Sequence, residues 1–196
     1  MGLKRGDATG PHRMTLTWLP NTLTLARIGL AFGVAWLILT LPTPSIWPLI
    51  AFTIVALTDF ADGWTARKLN AISALGAFLD PIADKVLVGL SLLALAATRD
   101  WTSLLLIASL LIILRDVIAT GLRLIPSVEM PVSKLAKWKT ALEMLAIAAL
   151  LLAGPLAREM LWDAGLVMVW LAALLSVYTL GLYLGALIAD GKRPRS

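Results

Sequence analysis

The chain has 196 residues, 59% of them hydrophobic and only 15% charged, with a net charge of +5. That apolar fraction, with a mean hydropathy of +0.87, exceeds what a soluble core requires and indicates a polytopic membrane protein of one domain, since no polar linker is long enough to join two. The lack of cysteine excludes a disulfide framework and thiol chemistry. The basic residues are scattered between apolar segments and read as topology determinants and contacts to anionic lipid or phosphate, not as a nucleic-acid face.

Residues 1–20 are polar and basic, with Lys4, Arg5, His12 and Arg13, and close on Trp18, Leu19 and Pro20. They lack the apolar run and small-residue cleavage site of a signal peptide and read as a cytoplasmic tail that ends at headgroup level. Asn21 or Thr22 can cap a first helix over 22–41, which Pro42 and Pro44 stop. Further helices are expected over 46–69, 74–98, 102–124, 133–153 and 161–189, the fifth ended by Gly154 and Pro155, and residues 191–196 form a basic tail. Each span has about the 20 residues that a hydrocarbon core of about 30 Å requires. The expected fold class is all-α, with six transmembrane helices in one domain over 21–190 and both termini cytoplasmic. In that topology fifteen of the 17 Lys and Arg residues fall on the inner side and two, Arg99 and Arg158, on the outer, a strong positive-inside asymmetry.

The second and third helices carry Asp59, Asp62, Asp80 and Asp84 close to that inner surface. Charge within the bilayer costs a few kcal/mol per group, so such a cluster marks a functional site. Asp59, Asp62, Gly63 and Ala66 fall at helical spacings that share one face, and Gly76, Asp80 and Asp84 share another. Pro81 removes an amide donor beside these carboxylates and favours a bend there. If the two faces meet, four carboxylates converge and cannot all stay ionised without cations. Oxygen ligands with no His or Cys nearby select hard ions such as Mg²⁺, Mn²⁺ or Ca²⁺, and Mg²⁺ favours a phosphate-bearing substrate. The alternative is a set of structural ion pairs with Arg67, Lys68 and Lys85, which the clustering at membrane depth disfavours.

The run Asp59-x2-Asp62-Gly63-x2-Ala66-Arg67-x8-Gly76-x3-Asp80-x3-Asp84 resembles the signature of the CDP-alcohol phosphatidyltransferase family at every fixed position. The resemblance implies six helices, a homodimer in a bacterial-type cell membrane, and a site near the cytoplasmic face that uses a pair of Mg²⁺ or Mn²⁺ ions. It also implies roles. Asp59, Asp62, Asp80 and Asp84 are expected to hold the metals on a CDP diphosphate, and Asp84 to act as the general base on an acceptor hydroxyl. Gly63, Ala66, Arg67 and Gly76, with Asn21, are expected to form the nucleotide surface.

Within the family, Pro20-Asn21-x-Leu23-Thr24-x2-Arg27 resembles the first-helix opening of the phosphatidylglycerophosphate synthases and of the related cardiolipin synthases. Arg115-Asp116-x6-Arg123 and Val132-Ser133-x3-Lys137-x-Lys139-Thr140 look more like the former, although many of those synthases carry Arg-Glu where this chain has Arg115-Asp116. That likeness implies CDP-diacylglycerol as donor and glycerol 3-phosphate as acceptor, with Arg115, Lys137, Lys139, Arg27 and Thr140 around the acceptor phosphate. A doubly charged phosphate needs cationic partners, and these helix ends supply them; the competing reading of the same cations is anchorage at the inner surface. Ser176, Tyr178 and Tyr183 loosely resemble the closing segment of the same subfamily. The rivals are a cardiolipin synthase that takes phosphatidylglycerol as acceptor and, from another class, a cation transporter. The nearly unbroken apolar outer halves of the helices disfavour transport, which needs a polar path across.

Overall fold

The computed structural model describes the backbone of residues 18–69, 74–99, 103–123 and 134–191, and the side-chain surroundings of Thr22 and of residues 25–58, 82–83, 85–99, 104–122 and 138–185. The described residues form six α-helices and no strand: α1 (Trp18–Thr40), α2 (Trp47–Leu69), α3 (Ala74–Thr98), α4 (Ser103–Arg123), α5 (Lys134–Ala153) and α6 (Glu159–Gly191). The shortest, α5, has 20 residues, about 30 Å at the rise of an α-helix.

The start of α1 differs from expectation. The helix begins at Trp18, a turn ahead of the proposed caps, so Asn21 and Thr22 are helical residues. Pro20 is compatible with this because an amide in the first turn has no acceptor within the helix. Helix α3 runs through Pro81 without a break. The α5–α6 connection also differs in detail. Ala157 N–H donates to the Gly154 carbonyl at 3.0 Å and Arg158 N–H to the Ala153 carbonyl at 3.1 Å, the paired bonds of a Schellman cap. Ala157, not Gly154, takes the left-handed position, with φ 49°.

Each helix buries residues three and four apart, as packing on one face demands: Ala31, Val34, Ala35 and Ile38 on α1; Val88, Leu92 and Leu95 on α3; Ala146, Ile147, Leu150 and Leu151 on α5; Val169, Ala172 and Ala173 on α6. The many alanines let helix axes approach closely. The most extensive packing joins α1 to α3 and α5 to α6, while α4 lies against α3 and α6, and α2 against α1 and α5. The outward faces are apolar too, with Phe32, Trp36, Leu39, Leu110, Leu114, Val117, Leu171 and Leu174 exposed. Helices that are apolar all round suit hydrocarbon surroundings, not water.

Over the described residues, Leu104–Leu122 and Glu159–Gly185 are long and apolar enough to cross a membrane, while Leu25–Thr40, Trp47–Thr58 and Lys85–Thr98 are shorter apolar stretches. On α2 and α3 the apolar run is cut at the end that carries Asp59, Asp62, Asp80, Asp84 and Lys85. The opposite end holds the α1–α2 turn, the end of α3 and the α5–α6 turn, where the Arg99 guanidinium lies 4.3 Å from the Trp162 ring centroid and 3.5 Å from Glu159 Oε1.

Gly154 is where this closed end admits no side chain. A Cβ there would run into the carbonyl oxygen of Thr43 in the α1–α2 turn, a backbone atom that cannot step aside cheaply. Gly154→Ala is therefore expected to destabilise the protein by about 1–3 kcal/mol, the usual cost of overpacking, read as a lowered unfolding midpoint in detergent.

Candidate active site

The carboxylates of the sequence motif lie in α2 and α3 as expected, with Asp59 and Asp62 in the last three turns of α2 and Asp80 and Asp84 in the first three of α3. Helical register carries the buried face of Phe52 and Val55 on to positions 59 and 62, and the buried face of Leu87 and Ser91 back to positions 84 and 80. The side chains of Asp59, Asp62, Gly63, Ala66, Arg67, Gly76, Asp80 and Asp84, and those of Asn21 and Lys137, lie outside the described residues. The donor set, carboxylate oxygens with no thiol in the chain and its one histidine at position 12, fits a hard divalent cation.

Beside that end of α3 sits a second group of charges that is described atom by atom. Its centre is Asp116 on α4. One oxygen, Oδ1, accepts from Arg115 Nη1 at 2.9 Å and from Lys139 Nζ at 2.7 Å. Lys85 Nζ, on α3, lies 4.0 Å from the same oxygen and donates to the Asp116 carbonyl at 3.0 Å and to Thr120 Oγ1 at 2.7 Å. Arg115 is tied to α6 as well, through Nε to the Ser176 carbonyl at 3.2 Å and Nη2 to Thr179 Oγ1 at 3.0 Å. Lys139 pairs with Glu143 one turn along α5, Nζ to Oε1 at 3.1 Å. Four helices thus meet at one ion-pair group.

The group is enclosed. Arg115, Asp116, Lys139 and Glu143 are 6%, 7%, 3% and 3% exposed. Cations that anchor a helix at the membrane surface extend their heads to water; Arg115 and Lys139 turn theirs inward. Removing charges from water at this depth is tolerated only where partners and hydrogen bonds offset the desolvation, which the four-helix arrangement provides. Among the described side chains, three cations and two carboxylates make up this group.

The structure therefore brings together Arg115 and Lys139, two of the residues singled out in the sequence. Thr140 follows Lys139 on α5 and is half-buried, and Arg27 is buried on α1. Of the α6 residues, Ser176 is buried, with its hydroxyl lacking a hydrogen-bond partner among the described residues, whereas Tyr178 is exposed on the outside of the bundle. Sequence reasoning missed Asp116, Lys85, Glu143 and Thr179 as members of this group. The local signals were a Lys-Glu pair at i and i+4 and two hydroxyls, at 176 and 179, on one face of α6.

The group also opens on a cavity of about 410 Å³ between α1, α3 and α4. Phe32, Val86, Leu90, Leu93, Ile113 and Val117 give it apolar walls, and Lys85, Asp116 and Thr120 form its polar end.

Residues 17–178 match the profile of the family described as CDP-alcohol phosphatidyltransferase. The chain is 38% identical over 169 residues to the CDP-diacylglycerol–glycerol-3-phosphate 3-phosphatidyltransferase of Rickettsia bellii, a match that covers 82% of this chain and 90% of that protein. It is 40% identical over 143 residues to the protein of the same name from Cereibacter sphaeroides, covering 70% and 65% of the two chains. A cardiolipin synthase (CMP-forming) of Oryza sativa subsp. japonica is 30% identical over an alignment of 204 positions, gaps included, covering 93% of this chain and 61% of that protein.

Thr179 supplies the acceptor that fixes the outer edge of the Arg115 guanidinium in a buried site. Thr179→Val keeps the volume and leaves a charged donor without its partner, so the expected cost is about 1–3 kcal/mol, measured as a shift in the unfolding midpoint against the unaltered chain.

Proposed function

The chain belongs to the CDP-alcohol phosphatidyltransferase family, and from that premise we propose that it transfers the phosphatidyl group of CDP-diacylglycerol to glycerol 3-phosphate, forming phosphatidylglycerophosphate and releasing CMP. The observation that carries the choice of acceptor is the pair of buried cations, Arg115 and Lys139, held together by Asp116, which also bonds Lys85 in the helix turn that bears Asp84. A phosphate monoester dianion is the kind of ligand that rewards two fixed cationic donors.

In this reading the protein is integral to a cell membrane, crosses it with all six helices, has both termini inside, and works as a homodimer. The apolar outer faces support that placement. The diacylglycerol chains remain among the helices and bilayer lipid while the diphosphate reaches the cytoplasmic end. Gly63, Ala66, Arg67 and Gly76, with Asn21, bind the nucleotide, the small residues allowing close backbone approach. Asp59, Asp62, Asp80 and Asp84 would hold divalent ions, Mg²⁺ or Mn²⁺, whose chemistry when bound is to neutralise the diphosphate and the departing CMP.

Arg115 and Lys139, with Lys137, Arg27 and Thr140, hold the acceptor phosphate and so aim its free hydroxyl. Asp84 takes the proton from that hydroxyl. The oxygen attacks the β-phosphorus, a new P–O bond forms, and the bond to the oxygen that joins the two phosphates breaks, leaving with CMP. Positioning supplies much of the rate, because a hydroxyl held in line near the phosphorus replaces a bimolecular encounter.

The rival acceptor is phosphatidylglycerol, as in a cardiolipin synthase, and the likeness to the rice protein of that name keeps it in view. An acceptor screen separates the two. Purified chain with CDP-diacylglycerol and Mg²⁺ is expected to release CMP with glycerol 3-phosphate and not with phosphatidylglycerol; release with phosphatidylglycerol alone reverses the choice, and no release with any alcohol sinks the enzyme reading. Asp84→Asn is expected to lower turnover by about 100-fold or more, the usual contribution of a general base, while CDP binding in the presence of Mg²⁺ persists. Loss of that binding would assign Asp84 to the metals alone.

A further inference from the structure

We infer that Asp116 is a positioning residue for the acceptor: its carboxylate sets the spacing of Arg115 and Lys139 so that both reach one phosphate group. The inference rests on the reading above, in which those two cations take the acceptor phosphate, and goes beyond it by naming what holds them in place.

Arg115 and Lys139 come from different helices and carry like charge, so in an enclosed site they repel. A single oxygen, Asp116 Oδ1, accepts from both, which brings the two nitrogens within reach of the oxygens of one phosphate. The two cations differ in how much else fixes them. The guanidinium of Arg115 is already held on two sides by the Ser176 carbonyl and Thr179 Oγ1. Lys139 ends in a point charge on a flexible stem, and its other carboxylate, Glu143, belongs to its own helix. The bond to Asp116 is therefore what registers the α5 ammonium against the α4 guanidinium.

The same residue refers both cations to the proposed base. Lys85, next in sequence to Asp84, donates to the Asp116 carbonyl and to Thr120 one turn further along α4. Through its carboxylate and its carbonyl, Asp116 thus links α5 and the Arg115 side chain to the turn of α3 that carries position 84. Asparagine at 116 would keep the carbonyl contact and remove only the charge.

Stability alone does not account for such an arrangement, because a buried ion pair commonly contributes no more than well-packed apolar residues of the same volume.

The test is steady-state CMP release by the full chain in lipid nanodiscs, varying each substrate in turn for the unaltered protein, Asp116→Glu and Asp116→Asn, with the unfolding midpoint of each. The expected order of acceptor KM is unaltered, then Asp116→Glu, then Asp116→Asn at about tenfold or more above the unaltered value, with KM for CDP-diacylglycerol and kcat within about twofold, the pattern of lost acceptor binding. Glycerol, which lacks the phosphate, should be used no worse by the asparagine variant than by the unaltered chain. An unchanged or lowered acceptor KM overturns the inference, the latter showing a carboxylate that competes with the phosphate. A rise in both KM values with a fall in the unfolding midpoint also overturns it, in favour of a structural role. Should Asp116→Asn not fold, Asp116→Glu decides by the same criterion, since a carboxylate displaced by one methylene must raise the acceptor KM alone. An unaltered chain that releases no CMP with any acceptor overturns the proposed function and this inference with it, whereas an active chain with indifferent variants overturns the inference only.

Discussion

Charge inside an apolar bundle has to be paired, and that constraint arranges this molecule. Asp116 meets it for three cations at once, accepting from Arg115 and Lys139 on one oxygen and from Lys85 on its carbonyl. Because Lys139 stands on α5 and Lys85 on α3, the bonds to this one residue tie α3, α4 and α5 together, and Arg115 extends the connection to α6. The cost of burying these groups unpaired is what makes the register definite; apolar side chains of similar size along the same helices would tolerate sliding far better.

The two ends of the bundle are built on different principles. At the end away from the carboxylates, backbone meets backbone: Gly154 sits against Thr43, and the Schellman turn around Ala157 lets α6 reverse directly on to α5. Small residues and tight turns leave little room there. At the other end long charged side chains, those of Lys85, Arg115 and Lys139, fill the space between helices. An end closed by backbone contacts and an end where buried charges adjoin a cavity suit the proposed function, in which water-soluble and lipid-bound reactants meet at the membrane surface.

How much of this could be read from the chain depends on sequence separation. The helices were legible because each contains a long apolar run, closed by proline after α1 and by glycine and proline after α5, and the errors fell at ends: α1 starts at Trp18 because Pro20 is harmless in a first turn, and α5 ends in a cap whose left-handed residue is an alanine. The aspartate motif was legible because its spacing is local, three, four and seven residues within single helices. The Asp116 group was not, since its bonds join residues 23, 31, 61 and 64 positions apart. No local pattern distinguishes a lysine that anchors a helix at the surface from one that turns inward to a carboxylate on another helix. The sequence likeness pointed to Arg115 and Lys139; only the fold shows what stands between them.

On the proposed reading, this division also separates reaction class from acceptor choice. The chemistry of the diphosphate rests on carboxylates whose arrangement is set within α2 and α3, so any chain that keeps those two helices and their spacing keeps the reaction. The acceptor rests on cations from α4 and α5 whose spacing is set across helices, by a carboxylate that is in neither the motif nor the set of cations. Changes in how α4 and α5 each pack against α6 can therefore alter, on that reading, which alcohol is used without touching an aspartate of the motif. A phosphodiester acceptor carries one negative charge where glycerol 3-phosphate carries two, and on that reading the two buried cations, Arg115 and Lys139, suit the dianion better. Selectivity of this kind depends on keeping the counterions as much as on keeping the cations, because losing either carboxylate changes the charge that the acceptor must match.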